Sequence, residues 1–397
     1  MGGAAGHLMH LHEDEDLTFL DIEKILSSAS NGSLEGATEK LDGLNIMFSW
    51  DFNHEDIVIA RSLGDIKNGG VKIQDISKRI GKIDDLCHVF KSSLESLGTA
   101  VSKIDEYDKQ KIFQKKSKVW YSAEIISSTR PNVVKYDENS IVFHEYPVLF
   151  LDEDNSVIHN NDNSGVNLIC SRIEEMQREI EGSKWVLKRP SVVSLESKDD
   201  RKMLESTMEE ISNLINELDL SKTDTIREYV KKNVIIELIS IGFQGETIDK
   251  ISSRILKNPG AHDLRKLKKM FPDQQEKIDK AVKNGDKIIK KALVKIDKII
   301  SRFSMKVLEG VKSSFINDNE KEVKRLRDEA GSIAKKIIES NDIHSINFIN
   351  QQIEKIGTIE NIKTAVEGVV FPYNGKMYKF TGAFAVANQI IGMYRYK

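Results

Sequence analysis

Cysteine is nearly absent from this 397-residue chain. Only Cys87 and Cys170 occur, far apart and without a Cys-x-x-Cys pair. That excludes a disulfide scaffold and a cysteine zinc site, and it fits a reducing, cytoplasmic setting. Apolar runs long enough to span a bilayer are missing too, and the N-terminus has no basic segment followed by an apolar one, so neither a membrane span nor a secretory leader is expected. An excess of positive charge is also lacking. The net charge is -3, so any contact with nucleic acid has to come from local patches and not from the mean field. What is present is charge of both signs, at 30% of residues against 39% apolar, the balance of a soluble chain with many exposed helices. The length suits two or three domains.

Periodicity divides the chain into unlike parts. Thr18 followed by Asp21 reads as a capping box opening a short helix through Leu20, Ile22, Ile25 and Leu26, closed by Asn31-Gly32. Residues 37–50 turn to strand, with Leu44, Ile46, Phe48 and Trp50 alternating, and 57–61 follows a polar turn to complete a β-hairpin. Ile83, Leu86, Phe90, Leu94, Leu97, Val101 and Ile104 recur at helical spacing and predict an amphipathic helix behind the sheet. Strands resume at 119–126, 141–144 and 148–151. The polar run 159–165 is the sharpest break in composition. Beyond it nearly everything to about Lys355 has helical period, and strand character returns at 365–371 and 377–381. The expected architecture is α+β: an antiparallel-sheet domain split into residues 1–158 and 361–397, with a large, mostly α-helical insertion at 166–360.

Candidate chemistry begins at Glu39-Lys40-Leu41-Asp42-Gly43-Leu44-Asn45, which holds the string Lys-x-Asp-Gly. A lysine amine attacks phosphorus only when neutral, and neighbouring cations lower its pKa. Gly43 would let a nucleotide approach the backbone closely. Arg61, ending the next strand, is expected across the hairpin from Lys40 as a phosphate ligand; the bland alternative is an exposed strand arginine. Glu124 is an acid inside an otherwise apolar strand, where burial calls for a partner such as a ribose hydroxyl or a metal-bound water. Glu367 precedes Gly368-Val369-Val370-Phe371, and Lys379 follows the turn at Asn374-Gly375. A two-residue turn would pair Val370 with Lys379 and leave Glu367 on the opposite face. A three-residue loop at 373–375, with Gly375 left-handed, pairs Val369 with Lys379 and puts both charges on one face, which is the expected geometry.

Taken in order, Lys40, Arg61, Glu124, Glu367 and Lys379 resemble the motif series of the covalent nucleotidyltransferase superfamily, which comprises ATP-dependent DNA ligases, RNA ligases and mRNA capping enzymes. The resemblance covers roughly residues 35–155 and 362–397. It implies an antiparallel-sheet, ATP-grasp-like ligase domain in which Lys40 is the nucleophile and Arg61 and Lys379 stabilise phosphate charge. Glu124 would contact the ribose, Glu367 and Glu124 would hold Mg²⁺ or Mn²⁺, and Phe143 would stack on the base. Glu39, Asp42, Gly43 and Asn45 would join them in binding ATP. Asn45, five residues beyond the lysine, is similar to phage-type RNA ligases of the second class. Nucleic-acid ends carrying a 5′-phosphate and a 3′-hydroxyl, RNA ahead of DNA, are the partners this implies. Residues 6–19 and 381–396 also resemble a phage ligase-like group. About 18 residues follow Lys379, too few for the OB-fold that DNA ligases and capping enzymes append. The resemblance implies ligation through lysyl-AMP. The alternatives are nucleotidyl transfer to a protein or small molecule, and a nucleic-acid-binding protein with a retired site.

The helical block offers a second class of feature. Lys287, Lys291, Lys295, Lys298 and Arg302 form a basic stripe opposite an apolar face, and Lys266, Lys268, Lys269, Arg325 and Arg327 would extend it toward the active site. Such a stripe follows a phosphate backbone or is simply a solvated helix face. Trp185, flanked by Lys184, Lys188 and Arg189, suits stacking on an unpaired base or, equally, anchoring the insertion. His7, His10, His12 and Glu13 crowd the N-terminus without the spacing of a closed zinc site.

Overall fold

A computed structural model of the chain describes residues 8–80, 84–115, 118–152, 154, 156–160, 162–195, 200–257, 265 and 268–395. His7, Ile83 and Lys266, named above, lie outside the described residues. The chain is α+β. Its strands are β1 (Thr38–Lys40), β2 (Leu44–Asp51), β3 (Asp56–Ala60), β4 (Val71–Lys72), β5 (Trp120–Ile126), β6 (Asn139–Leu151), β7 (Val157–Asn160), β8 (Trp185–Lys188), β9 (Gly368–Tyr373) and β10 (Lys376–Thr381).

Alternation in β2, β3, β5 and β6 builds the larger sheet, ordered β4-β3-β2-β5-β6-β7, with β8 joining β6 in parallel. One face presents Ile46, Phe48, Ile57, Ile59, Tyr121, Ile125 and Phe143, which pack on Phe90, Leu94, Leu97 and Val101 of the helix Asp84–Ser102. Fully burying each such side chain contributes roughly 1.5–3 kcal/mol, so this face is the sheet's anchor. The opposite face carries Met47, Val58, Ala60 and Trp120 at one end and the polar Asn45, Ser122 and Glu124 at the other. The two strands expected at 141–144 and 148–151 are one continuous β6, which shifts register against β5 between Tyr121 and Ala123.

The smaller sheet, β1-β9-β10, joins the two ends of the chain. Its inward face, Val369, Phe371, Tyr378 and Phe380, packs against Phe303 and other apolar residues of the helix Gly285–Leu308, with Phe371 and Phe380 ring centroids 4.8 Å apart. The N-terminal helix Phe19–Ser30, opened by the expected Thr18–Asp21 capping box, shares this core. A third core gathers the helices Asn319–Glu339, Ile343–Ile356 and Phe384–Arg395 around Leu41, Val133, Val134 and Val142. β8 and residues 191–193 lie inside the span expected to be helical, and the latter run beside β1: Glu39 N donates to Ser191 O and Val193 N to Ala37 O, both at 2.9 Å.

The β9–β10 turn corrects an expectation. Lys379 pairs with Val370, not Val369, through a two-residue turn in which Asn374 and Gly375 have φ of 48° and 74°. Asn and Gly both tolerate the left-handed region, and a turn of that hand matches the twist of the flanking strands.

Candidate active site

Lys40 ends β1, paired with Gly368, while Thr38 pairs with Val370, which in turn pairs with Lys379. Alternation therefore puts Lys40, Val370 and Lys379 on one face of the small sheet, across the middle strand from each other. Glu367 lies one residue before β9, where the ladder no longer dictates which way a side chain points, and its carboxylate meets Lys40 Nζ in an ion pair. The two-residue turn and a shared pocket are thus compatible, contrary to the argument from alternation alone. Gly368 is obligatory between them: a Cβ there would sit 2.1 Å from the Phe380 carbonyl oxygen.

A cleft of about 1160 Å³ opens over this face, lined by Lys40, Glu367, Lys379, Asn45, Ser122, Glu124 and His144. It is closed on other sides by His10 and His12, by Lys298, Ser301 and Arg302, and by Gln351, Asn388 and Gln389. Glu124 is buried but well supplied with donors: Gly43 N at 3.1 Å, Asn45 Nδ2 at 3.2 Å, and His144 Nε2 at 3.4 Å. Asn45 Nδ2 also donates to Ser122 Oγ, so its amide orients the acid on the neighbouring strand.

Burial would depress the Lys40 ammonium, but Glu367, helped by Glu124 and Asp42, outweighs it and holds Lys40 above its usual value. Burial pushes the Glu367 carboxyl up against the pull of Lys40. The depression expected for Lys40 from nearby cations falls instead on Lys379, which burial and then Lys40 pull below the ordinary lysine range.

Other predicted site residues have different employment. The Asp42 carboxylate accepts from Val133 N, Val134 N and Asn132 Nδ2 at 2.7–2.8 Å, and Asp42 N donates to the Tyr136 hydroxyl, so this acid pins the loop behind Lys40. What Gly43 admits is protein: a Cβ would meet the Ile125 carbonyl oxygen at 2.7 Å and Glu124 Cγ at 2.8 Å. Glu39 alternates with Lys40 and accepts from Ser314 N at 3.2 Å; burial raises it to about 7.

Arg61 continues β3 on the face of Ile57 and Ile59, and its guanidinium lies over the Phe90 ring, 5.3 Å from the centroid. Arg61 is not among the residues lining the cleft, contrary to expectation, although the Glu124 charge acts on it. Phe143 is 0% exposed in the same core, 5.8 Å from Phe48 ring to ring, and offers no face for stacking. Its neighbour His144 points to the cleft in its place; the strand alternation Ile141-Val142-Phe143-His144 carried that signal.

Trp185 is buried, its Nε1 donating to Ser92 Oγ at 3.2 Å, so it anchors β8. Of the basic stripe, Lys298 and Arg302 border the cleft, Arg302 paired with Glu210, while Lys287, Lys291 and Lys295 face solvent elsewhere. Lys268 pairs with Asp279, and Lys269 is exposed. Arg325 binds Glu322, Glu329 and the Val133 carbonyl, and Arg327 donates to the Ile362 carbonyl, so both brace the fold. Among the described residues no three His, Cys, Asp or Glu side chains converge into a protein-only metal site, and no helix is long and apolar enough to cross a membrane. No protein-family model matches the sequence, and no curated protein matches it either.

Proposed function

We propose that this chain is a lysine-dependent nucleotidyltransferase of the polynucleotide ligase type, taking AMP from ATP onto Lys40 and passing it to a nucleic-acid 5′-phosphate. One observation carries the reading: pairing of β1 with β9 sets Lys40 against Glu367, with Lys379 on the same face and Glu124 across the cleft. The small sheet and the polar face of the large sheet would together form the nucleotide-binding fold of that superfamily.

The chemistry follows from the ion pair. Lys40 is a poor nucleophile as an ammonium ion. Transfer of its proton to the Glu367 carboxylate leaves a neutral amine and a neutral acid, and burial favours both neutral forms. The amine nitrogen then bonds to the α-phosphorus while the bond to pyrophosphate breaks. Lys379 neutralises charge developing on the phosphoryl oxygens. Glu124, held by Gly43, Asn45 and His144, presents an acceptor to a ribose hydroxyl. In the second step a 5′-phosphate oxygen displaces Lys40 from phosphorus, and in the third a 3′-hydroxyl displaces AMP to form the phosphodiester. Glu124, and Glu367 before it takes the Lys40 proton, would hold a Mg²⁺ or Mn²⁺ ion, which would supply neutralisation of phosphate charge. RNA is the favoured polynucleotide on the Asn45 resemblance.

The test is incubation of purified protein with α-³²P-ATP and Mg²⁺, wild type beside Lys40→Ala on a denaturing gel, followed by a chase with 5′-phosphorylated RNA and DNA. Label that requires Lys40 and is discharged by a polynucleotide is the expected result. Lys40-dependent label that neither strand discharges would move the acceptor to a protein or small molecule. Absence of any label with ATP or GTP would sink the reading.

A further inference from the structure

Residues 8–14 run alongside β10 and are held there at several points. Met9 O accepts from Lys379 N at 3.0 Å, and Met9 bridges Tyr378 in parallel. Leu11 is buried in the core beneath the small sheet. Asp14 takes bonds from Lys376 Nζ at 2.9 Å and from the Tyr378 hydroxyl. Between these anchors a short 3-10 turn, Leu11–Glu13, stacks the His10 and His12 rings, 5.4 Å between centroids and 19° between planes. Both histidines are among the residues lining the cleft that holds Lys40 and Lys379. His12 Nδ1 lies 3.2 Å from Asp297 Oδ1 on the helix Gly285–Leu308 without making a hydrogen bond to it. A segment outside the motif series thus places an imidazole in the wall of the cleft beside the distal lysine.

We propose that His10 binds a phosphoryl oxygen of the substrate together with Lys379, donating an imidazole N–H where the lysine supplies the charge. This deepens the nucleotidyl-transfer reading and rests on it. The charged and titratable groups that face His10 are Glu13 and His12 on its own segment, Lys379 on β10 and Asp297 on the helix behind. Burial first, then Lys379, brings His10 down to about 4, against the opposing pull of Glu13 and Asp297. His10 is therefore neutral at physiological pH and contributes a donor without a charge. Two phosphoryl sources fit this chemistry, the pyrophosphate end of the nucleotide and the 5′-phosphate of the acceptor strand.

Direct binding tests it without requiring turnover. Affinities of the full chain for inorganic pyrophosphate, and for a 5′-phosphorylated against a 5′-hydroxyl oligonucleotide, are measured by calorimetry for wild type, His10→Ala and His10→Gln, each with a melting curve as a check of folding. Loss of a hydrogen bond to a charged acceptor predicts that His10→Ala weakens one of the phosphorylated probes roughly ten- to hundredfold, whereas Gln, which keeps an N–H donor, stays within about threefold. Whichever probe responds identifies the source. His10→Ala binding both phosphorylated probes as tightly as wild type would overturn the proposal. Histidine-dependent pyrophosphate binding by a protein that never labels on Lys40 would keep the phosphate subsite and remove nucleotidyl transfer.

Discussion

Glu39 adjoins the proposed nucleophile in sequence and is among the residues at the cleft, yet it is 2% exposed and its carboxyl accepts from Ser314 N. Burial lifts it from 4.5 to about 7, with the bonds from Ser313 and Ser314 opposing the rise. A carboxyl raised by folding favours the folded state while protonated. That contribution is complete below pH 4.5 and disappears as the pH rises through about 7. At 1.36 kcal/mol per pH unit the shift is worth about 3 kcal/mol. Gln replaces the carboxyl with a group of the same shape that keeps an acceptor for Ser314 and never ionises. Urea unfolding of wild type and Glu39→Gln at intervals from pH 4.5 to 8 should therefore give curves that diverge with pH, the variant gaining on the wild type by about 3 kcal/mol across the window. Taking the difference removes the other groups that titrate there, His10 among them. Parallel curves would refute the reasoning. The same variant should label on Lys40 at close to the wild-type rate, because the Glu39 carboxyl bonds Ser314 while Lys40 pairs with Glu367; abolished labelling would return Glu39 to the nucleotide site.

Three further outcomes are expected. Arg61→Ala should leave Lys40 labelling within about threefold of wild type, since its guanidinium lies over Phe90 on the far face of the sheet; a loss of a hundredfold or more in a labelling time course would place a phosphate contact there after all. Asp42→Ala strands two buried backbone N–H groups, at Val133 and Val134, and should destabilise the chain by roughly 2–5 kcal/mol in urea unfolding, with labelling lost along with the fold. Because Glu367 takes the Lys40 proton within the ion pair, wild-type labelling should vary little with pH through neutrality, whereas Glu367→Gln, which leaves that proton to solvent, should label more slowly and climb with pH. A pH profile that is flat from 6 to 9 in both proteins would separate Lys40 ionisation from the labelled step.

Much of the local structure was legible because it depends on near neighbours. The capping box at Thr18, the alternation of Ile46, Phe48 and Trp50, and the helix behind them are written in adjacent residues, and the structure has all three. The harder cases turned on parity. Phe143 and His144 are consecutive on β6, and which of them meets the cleft depends on the face that the Asp84–Ser102 helix covers. Arg61 lies one residue past β3, and what places it is the contact of its guanidinium with the Phe90 ring and not the ladder.

By itself the sequence determined the α+β composition, the extent of most strands and the helices' apolar faces, because periodicity and capping are properties of short stretches. Burial of an acid in an apolar strand singled out Glu124, and the ordered motif series singled out Lys40, Glu367 and Lys379, along with Arg61. Only the tertiary structure decided which of these meet. Contact between Lys40 and Glu367 requires β1 to pair with β9 from the far end of the chain, above a core shared by Phe371, Phe380 and Phe303, to which no single stretch of sequence contributes enough to predict the pairing.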